Sequence, residues 1–334
     1  MSENDSKIQR AGNVTLYYGV YQNIIVDYYT EKYVEWISYI ILPAVAATSA
    51  LFALSSIALI LSLKINNRIY NYIITRSTLK ALTSICLILV EDSICMYCKS
   101  NYYNTKFKLI YRTYVIGMTV DTITVMIALV EGLITFDRLY ILLNRKNWIT
   151  RMKQKYLIIG IIFFSIIMHI PEWFRFKLEH VEGDIYKRSL TKFADTYFYI
   201  IYYVVFVNFL KISYMIFYTV LVILVVINYR KFVAKKTRLQ QKSVSKLAQN
   251  NNNITKLIIL VGVVYALTLV LMVVSNVLGR VDEMTGTYNS TFILIKYTGY
   301  LLSTAHLGVG SVALLYYDNN IKKKLRRIFC CQQS

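Results

Sequence analysis

Few residues in this chain are equipped for chemistry, and most of them sit inside apolar runs. Asp137 and Arg138 are adjacent, and a carboxylate beside a guanidinium can hold it and release it to a partner on rearrangement. An Asp-Arg pair is equally able to serve as a simple ion pair anchoring a helix end. Asp121, Glu131, Lys211, Lys296 and His306 are ionisable groups in otherwise hydrophobic stretches, where charge is costly and normally faces a cavity or another charge. Asp121 precedes Arg138 by 17 residues, about 25 Å of helix at 1.5 Å per residue. It is therefore placed either to bind a cationic ligand group or to pair with Lys211 or Lys296; the two readings stand level. Glu131, lower in the same helix, reads as a structural or gating group. The three histidines, His169, His180 and His306, lack metal-ligand spacing, and no Gly-rich phosphate loop occurs, so neither an enzyme nor a metal or cofactor site is expected. Cys95 and Cys98 form a CxxC whose expected state is two free thiols, with a local disulfide or metal pair as the alternative.

The elements that must position these groups are long helices. Of 334 residues, 56% are hydrophobic and 17% charged, with a mean hydropathy of +0.46 and only two prolines, which disfavours a soluble enzyme, a disulfide scaffold and any all-β repeat. A bilayer core requires about 20 mainly apolar residues per helix. Seven stretches qualify, at Ile37 to Leu63, Tyr70 to Met96, Thr113 to Leu143, Tyr156 to Phe174, Thr196 to Asn228, Thr255 to Gly279 and Phe292 to Tyr316. The second is the weakest: Arg76 and Lys80 near one end, and Glu91 and Asp92 near the other, leave a short apolar centre unless the basic side chains snorkel. The expected class is an all-α membrane protein, a seven-helix bundle with a short amphipathic eighth helix. Its parts are an external N-terminus at 1–36, a membrane domain at 37–316 and a cytoplasmic tail at 317–334. Residues 1–36 lack the pattern of a cleavable signal peptide, so the first helix is expected to direct insertion.

Basic residues orient the bundle. One alternate set of connections carries 22 of the 38 Lys and Arg, as three in 64–76, six in 138–155, eight in 229–256 and five after 317. The other set carries 13, and positive connections stay in the cytosol, so the N-terminus is expected outside and a plasma-membrane location follows. Sequons at Asn4, Asn13 and Asn289 would then face outward and accept glycans, whereas Asn253 would not. Outer-end tyrosines, including Tyr197, Tyr199, Tyr202 and Tyr203 at the opening of span five, read first as an interfacial belt and second as a binding vestibule. The loop from Arg230 to Ile254 has no acidic residue and suits extension of helices five and six into the cytosol.

In that setting the run Thr135-Phe136-Asp137-Arg138-Leu139-Tyr140-Ile141-Leu142, at the inner end of the third span, resembles the Asp-Arg-Tyr motif of rhodopsin-like G-protein-coupled receptors. His169-Ile170-Pro171-Glu172-Trp173-Phe174 is similar to a sequence in invertebrate FMRFamide-type peptide receptors and related nematode chemoreceptors. The segment from Asp318 to Arg327 followed by Cys330-Cys331 resembles an amphipathic eighth helix with palmitoylated cysteines, its basic residues meeting anionic lipid. The resemblance implies a receptor for an extracellular neuropeptide or chemosensory molecule that activates a heterotrimeric G protein. Asp121, Lys211, Lys296 and Tyr203 would meet the ligand, Asp137 and Arg138 would form the coupling switch, and nucleic acid would not be a partner. Departures are numerous. The bridging extracellular cysteines, the Cys-Trp-x-Pro of span six, the proline of span five, the Asn-Pro-x-x-Tyr of span seven and the sodium-site aspartate of span two are all missing. Lys296 lies too near the outer end for an opsin Schiff base. The alternative is a transporter or channel using Asp121, Glu131, Lys211 and His306 as a path, although no inverted repeat is visible; an adhesion or scaffold role is weaker still.

Overall fold

A computed structural model describes residues 33, 36–63, 68–88, 110–144, 152–182, 185–203, 209–239, 246–285, 290–319 and 321–323. Among them, seven helices of twenty residues or more dominate: α1 (Leu42–Ser62), α2 (Arg68–Ile88), α3 (Asp121–Leu142), α4 (Gln154–Trp173), α5 (Leu210–Leu239), α6 (Lys246–Thr285) and α7 (Ser290–Tyr317). Wide helical turns lead into α1 (Ile37–Ile41) and α3 (Tyr111–Val120). Six of the seven are long and apolar enough to cross a bilayer; α2 is the exception.

The packing has the inside-out character expected of helices in lipid. On α1 the buried stripe is Ala46, Ser49, Ala50, Ala53 and Ser56, all small, ending in Ile60, while Leu51, Phe52, Leu54 and Leu61 face outward. Small residues let backbones approach closely where no hydrophobic force between helices operates. The approach of α7 is correspondingly tight, because Ser49 Oγ donates to the Thr304 carbonyl at 3.3 Å and a Cβ on Gly308 would meet Ser49 Cα at 3.3 Å. On α4 only Ser165 and His169 are buried, and Ile159, Phe163, Phe164, Ile166 and Ile167 lie on the outer surface.

Helix α2 packs on α1 and α3; α7 packs on α1 and α6; α3 also touches α4 and α5. An apolar core runs through this centre, built from Ile60, Ile69, Ile73, Val130, Ile134, Leu257, Ile258, Val261 and Leu314 around Tyr70 and Tyr72. Helix α3 ends at Leu142 with Leu143 as its cap, and Asn144 follows with a positive φ of 52°, the left-handed stop favoured by Gly and Asn. At about 1.5 Å per residue, α5 and α6 span roughly 45 and 60 Å, so both outrun a hydrocarbon core of about 30 Å.

Two features depart from the sequence expectations. Between α4 and α5 the chain forms an antiparallel hairpin, β1 (Phe176–Glu182) and β2 (Ile185–Leu190), with a register irregularity between His180 and Glu182. The fold is therefore helical with a β-hairpin cap rather than purely α. The second departure concerns Arg76 and Lys80, which do not snorkel toward a membrane surface. They are 2% and 1% exposed and face the bundle interior, because a carboxylate awaits them there.

Candidate functional site

Helix α2 carries Arg68, Tyr72, Arg76 and Lys80 at intervals of four, which places all four on one face. That face looks at α3. Glu131 lies 2% exposed between the upper two cations, with Oε2 at 3.1 Å from Arg76 Nη1 and Oε1 at 3.1 Å from Lys80 Nζ. Two turns further along α3, Asp137 Oδ1 is 3.8 Å from Arg68 Nε. The antiparallel helices are thus joined by a ladder of ion pairs, and the middle of α2 is held by electrostatics where its neighbours are held by apolar packing. Burying charge of this kind is tolerable only when partners are close, since each isolated ion costs several kcal/mol to desolvate.

Helix α7 closes the site from the third side. Lys80 Nζ lies 3.4 Å from the His306 carbonyl, to which it donates. Gly310, one turn on, leaves the space the cations need: a Cβ there would meet Arg76 Nη2 at 3.0 Å and Lys80 Nζ at 3.6 Å. The His306 ring stacks on Tyr265 of α6 at 4.7 Å, Tyr265 meets Tyr218 of α5 edge-on at 5.0 Å, and Tyr218 stacks on Tyr214 at 5.9 Å. Tyr214 donates to the Ala128 carbonyl on α3, and the Tyr218 hydroxyl is 3.4 Å from Thr135 Oγ1. An aromatic file from α5 through α6 to α7 thereby starts and ends beside Glu131.

At the other end of the ladder, Asp137 and Arg138 are 6% and 5% exposed. Arg68 donates to the Tyr72 hydroxyl at 2.8 Å and to the Met152 carbonyl at 3.3 Å, so it ties α2 to the segment entering α4 as well as to Asp137. Above Arg138, and within electrostatic range of it, the Tyr70 hydroxyl of α2 donates to Asp318 Oδ2 at the end of α7. Asp318 Oδ1 in turn accepts from Ile321 N at 3.3 Å, and its carbonyl accepts from Lys322 N at 3.0 Å, as a cap opening a new helical turn does. Helix α2 is therefore tied to α3 by the Arg68–Asp137 pair and to α7 by the Tyr70–Asp318 bridge, at the end of the bundle where Arg138 is buried.

The hairpin end holds a second polar and aromatic group. Arg175 lies over the rings of Phe176, Tyr203 and Tyr199 at 4.7, 5.3 and 5.9 Å, and 3.6 Å from Glu172, which accepts from the Tyr199 hydroxyl at 3.0 Å. Trp173 packs on Tyr114 at 6.2 Å.

Of the residues singled out by sequence, Asp137, Arg138, Glu131 and His306 fall in the interlocked core. Tyr203 belongs to the aromatic group at the hairpin end. Asp121 is exposed and within electrostatic range of the Tyr202 hydroxyl, Lys211 is exposed, and these two make no ion pair with each other. The Lys296 side chain, Asn4, Asn13, Asn289, Cys95, Cys98, Cys330 and Cys331 lie outside the described residues. Sequence reasoning missed Arg68, Tyr70, Tyr265 and Asp318 and misjudged Arg76 and Lys80; the four-residue spacing of cations opposite an isolated Glu131 is the signal that reveals them.

No family model matches this chain, and none of the curated proteins matches it. The fold and the buried ion ladder define it as a helical multi-pass membrane protein, with six helices among the described residues fit to span a bilayer.

Proposed function

We propose that the chain is a divergent G-protein-coupled receptor of the plasma membrane, a bundle of seven spans with its N-terminus outside. The observation carrying this reading is the burial of Asp137-Arg138 at the end of α3, with Asp137 paired to Arg68 and the Tyr70–Asp318 bridge within electrostatic range of Arg138. A switch needs an arginine that is covered in one state and can be uncovered in another, and three helices must part for that to happen here. Helix α2 serves as the additional span: its 21 residues cover about 31 Å, and its cations Arg76 and Lys80 face Glu131 inside the bundle rather than lipid. The excess of basic residues at the Arg138 end supports a cytosolic face there. The segment after Asp318 is read as a membrane-surface eighth helix, anchored by acyl chains on Cys330 and Cys331.

An extracellular peptide or small molecule would enter at the hairpin end, near Asp121, Tyr203, Lys211 and Lys296. The aromatic file Tyr214–Tyr218–Tyr265–His306 then links α5, α6 and α7 to the ion ladder, and coupling of about 1 to 3 kcal/mol between the ends is sufficient for signalling. The test is guanine-nucleotide exchange on co-expressed heterotrimeric G proteins during a screen of peptide and small-molecule ligands. Ligand-dependent exchange supports the reading.

A transporter is the second reading, favoured by the buried Arg76–Glu131–Lys80 group and His306 in the bundle interior. Its other path residues, Asp121 and Lys211, stand outside that group. Solute or ion flux into vesicles, with no nucleotide exchange, would establish it in place of the receptor.

A further inference from the structure

The charges in the α2–α3–α7 junction do not balance. Arg76 and Lys80 are two cations, Glu131 is one carboxylate, and all three are at most 2% exposed. The donors do not balance either. Arg76 Nε and His306 Nε2 are buried with no hydrogen-bond partner among the described residues, and Thr83 Oγ1 and Ser84 Oγ, three and four residues past Lys80 on α2, are in the same condition; the one acceptor so placed, Glu131 Oε1, has its 3.1 Å ion pair with Lys80 instead. His306 is 3% exposed, Thr83 3% and Ser84 0%. An unmatched buried donor forfeits its solvation, and a buried unmatched charge forfeits far more.

We propose that this junction holds a small monovalent inorganic anion, chloride in ordinary salt, seated against Lys80 and Arg76 with His306, Thr83 and Ser84 as supporting donors. One such ion supplies the missing negative charge and an acceptor on the face of α2 that carries these groups. Loss of a proton from Lys80 would repair the charge alone and leave Arg76 Nε, His306 Nε2 and the two hydroxyls unanswered. Guanidinium and ammonium groups only donate, and the hydroxyls and an Nε2–H tautomer of His306 can donate, which suits a spherical halide that accepts from every side and offers nothing in return. The proposal concerns the resting chemistry of the bundle and stands whether the protein is a receptor or a carrier.

The experiment uses purified full-length protein in lipid nanodiscs, with sodium and ionic strength held constant while chloride is exchanged for gluconate. The expected result is a saturable rise in unfolding temperature of several degrees with chloride, reproduced by bromide and absent with gluconate or sulfate. Lys80→Met, which leaves Arg76 and Glu131 as a matched pair, is expected to abolish that dependence. Should this variant fail to fold, Thr83→Val with Ser84→Ala is expected to weaken chloride affinity at least severalfold while leaving the ion pairs in place. Identical unfolding in chloride and gluconate would overturn the proposal, and so would full chloride dependence in folded Lys80→Met or in the Thr83→Val, Ser84→Ala protein.

Discussion

Replacing Glu131 by Gln keeps the shape of the side chain and removes the one carboxylate shared by Arg76 and Lys80. Each ion pair is 3.1 Å long, and at an effective dielectric of about 20 a pair at that distance is worth about 5 kcal/mol of attraction before desolvation. The desolvation of the two cations remains after the substitution, and their mutual repulsion is no longer screened by the charge between them. Breaking a buried pair in this way costs about 3 to 5 kcal/mol, which for a chain of this size is a fall of roughly 5 to 10 °C in unfolding temperature. The reverse substitution is informative because it should be mild. Lys80→Met leaves one cation against one carboxylate and substitutes an apolar chain of similar reach, so it should cost much less than Glu131→Gln. The double variant should recover part of the loss, because its single remaining cation faces no like charge. Thermal unfolding of the four proteins by tryptophan fluorescence forms a double-mutant cycle. If Glu131→Gln unfolds within a degree of the parent protein, or if the two losses simply add, the ion ladder does not hold α2 in the bundle and the reasoning fails.

Other consequences can be checked separately. Gly310→Ala brings a methyl group to 3.0 Å from Arg76 Nη2 and should cost about 1 to 3 kcal/mol, whereas Gly160→Ala, with open space around its Cα, should be neutral or slightly stabilising by thermal unfolding. Tyr70→Phe removes the hydroxyl that bridges α2 to Asp318; a loss of about 1.5 to 3 kcal/mol in stability and a rise in basal nucleotide exchange are expected. In cells, treatment with a glycosidase should shift the gel mobility of the parent chain and of Asn253→Gln, but not of a variant lacking Asn4, Asn13 and Asn289.

Much of the helical frame was legible because lipid imposes a crude code, length plus apolarity. Six of the seven stretches read from the sequence overlap the observed membrane-length helices, most ends within a few residues, as at Gln154–Trp173 against the expected Tyr156 to Phe174; the largest difference is in span five, expected from Thr196 to Asn228 and observed as Leu210–Ala234. The hairpin is hard to read because its two strands are short and polar beside the long apolar helices that flank it. Its signal was present in Gly183-Asp184, a two-residue turn pair between two short runs, Phe176–Glu182 and Ile185–Leu190. The extension of α5 and α6 followed from a loop too basic and polar to fold on its own.

The candidate site was legible only in halves. Glu131 and His306 stood out as charges in apolar helices, and Asp137-Arg138 stood out as a dipeptide. Their partners did not, because Arg76 and Lys80 lie on the least apolar helix and read as boundary residues, and pairing between helices is a tertiary fact that spacing along one helix only hints at. Small residues such as Ser49, Gly308 and Gly310 carry no signal by hydrophobicity, yet they set how closely α1, α2 and α7 can approach. Asp318 illustrates the same limit: as the first residue of a basic tail it looked unremarkable, and its role as a bridge to Tyr70 depends on where α2 is packed.

The account rests most heavily on Arg138 as a concealed coupling group. Basal and ligand-stimulated nucleotide exchange should therefore be measured in membranes holding equal amounts of the parent chain, Arg138→Ala and Asp137→Asn. The account predicts that Arg138→Ala lowers stimulated exchange by roughly tenfold or more and that Asp137→Asn, which loses its pair with Arg68, raises basal exchange. Exchange that is unchanged by removing the Arg138 guanidinium would contradict it.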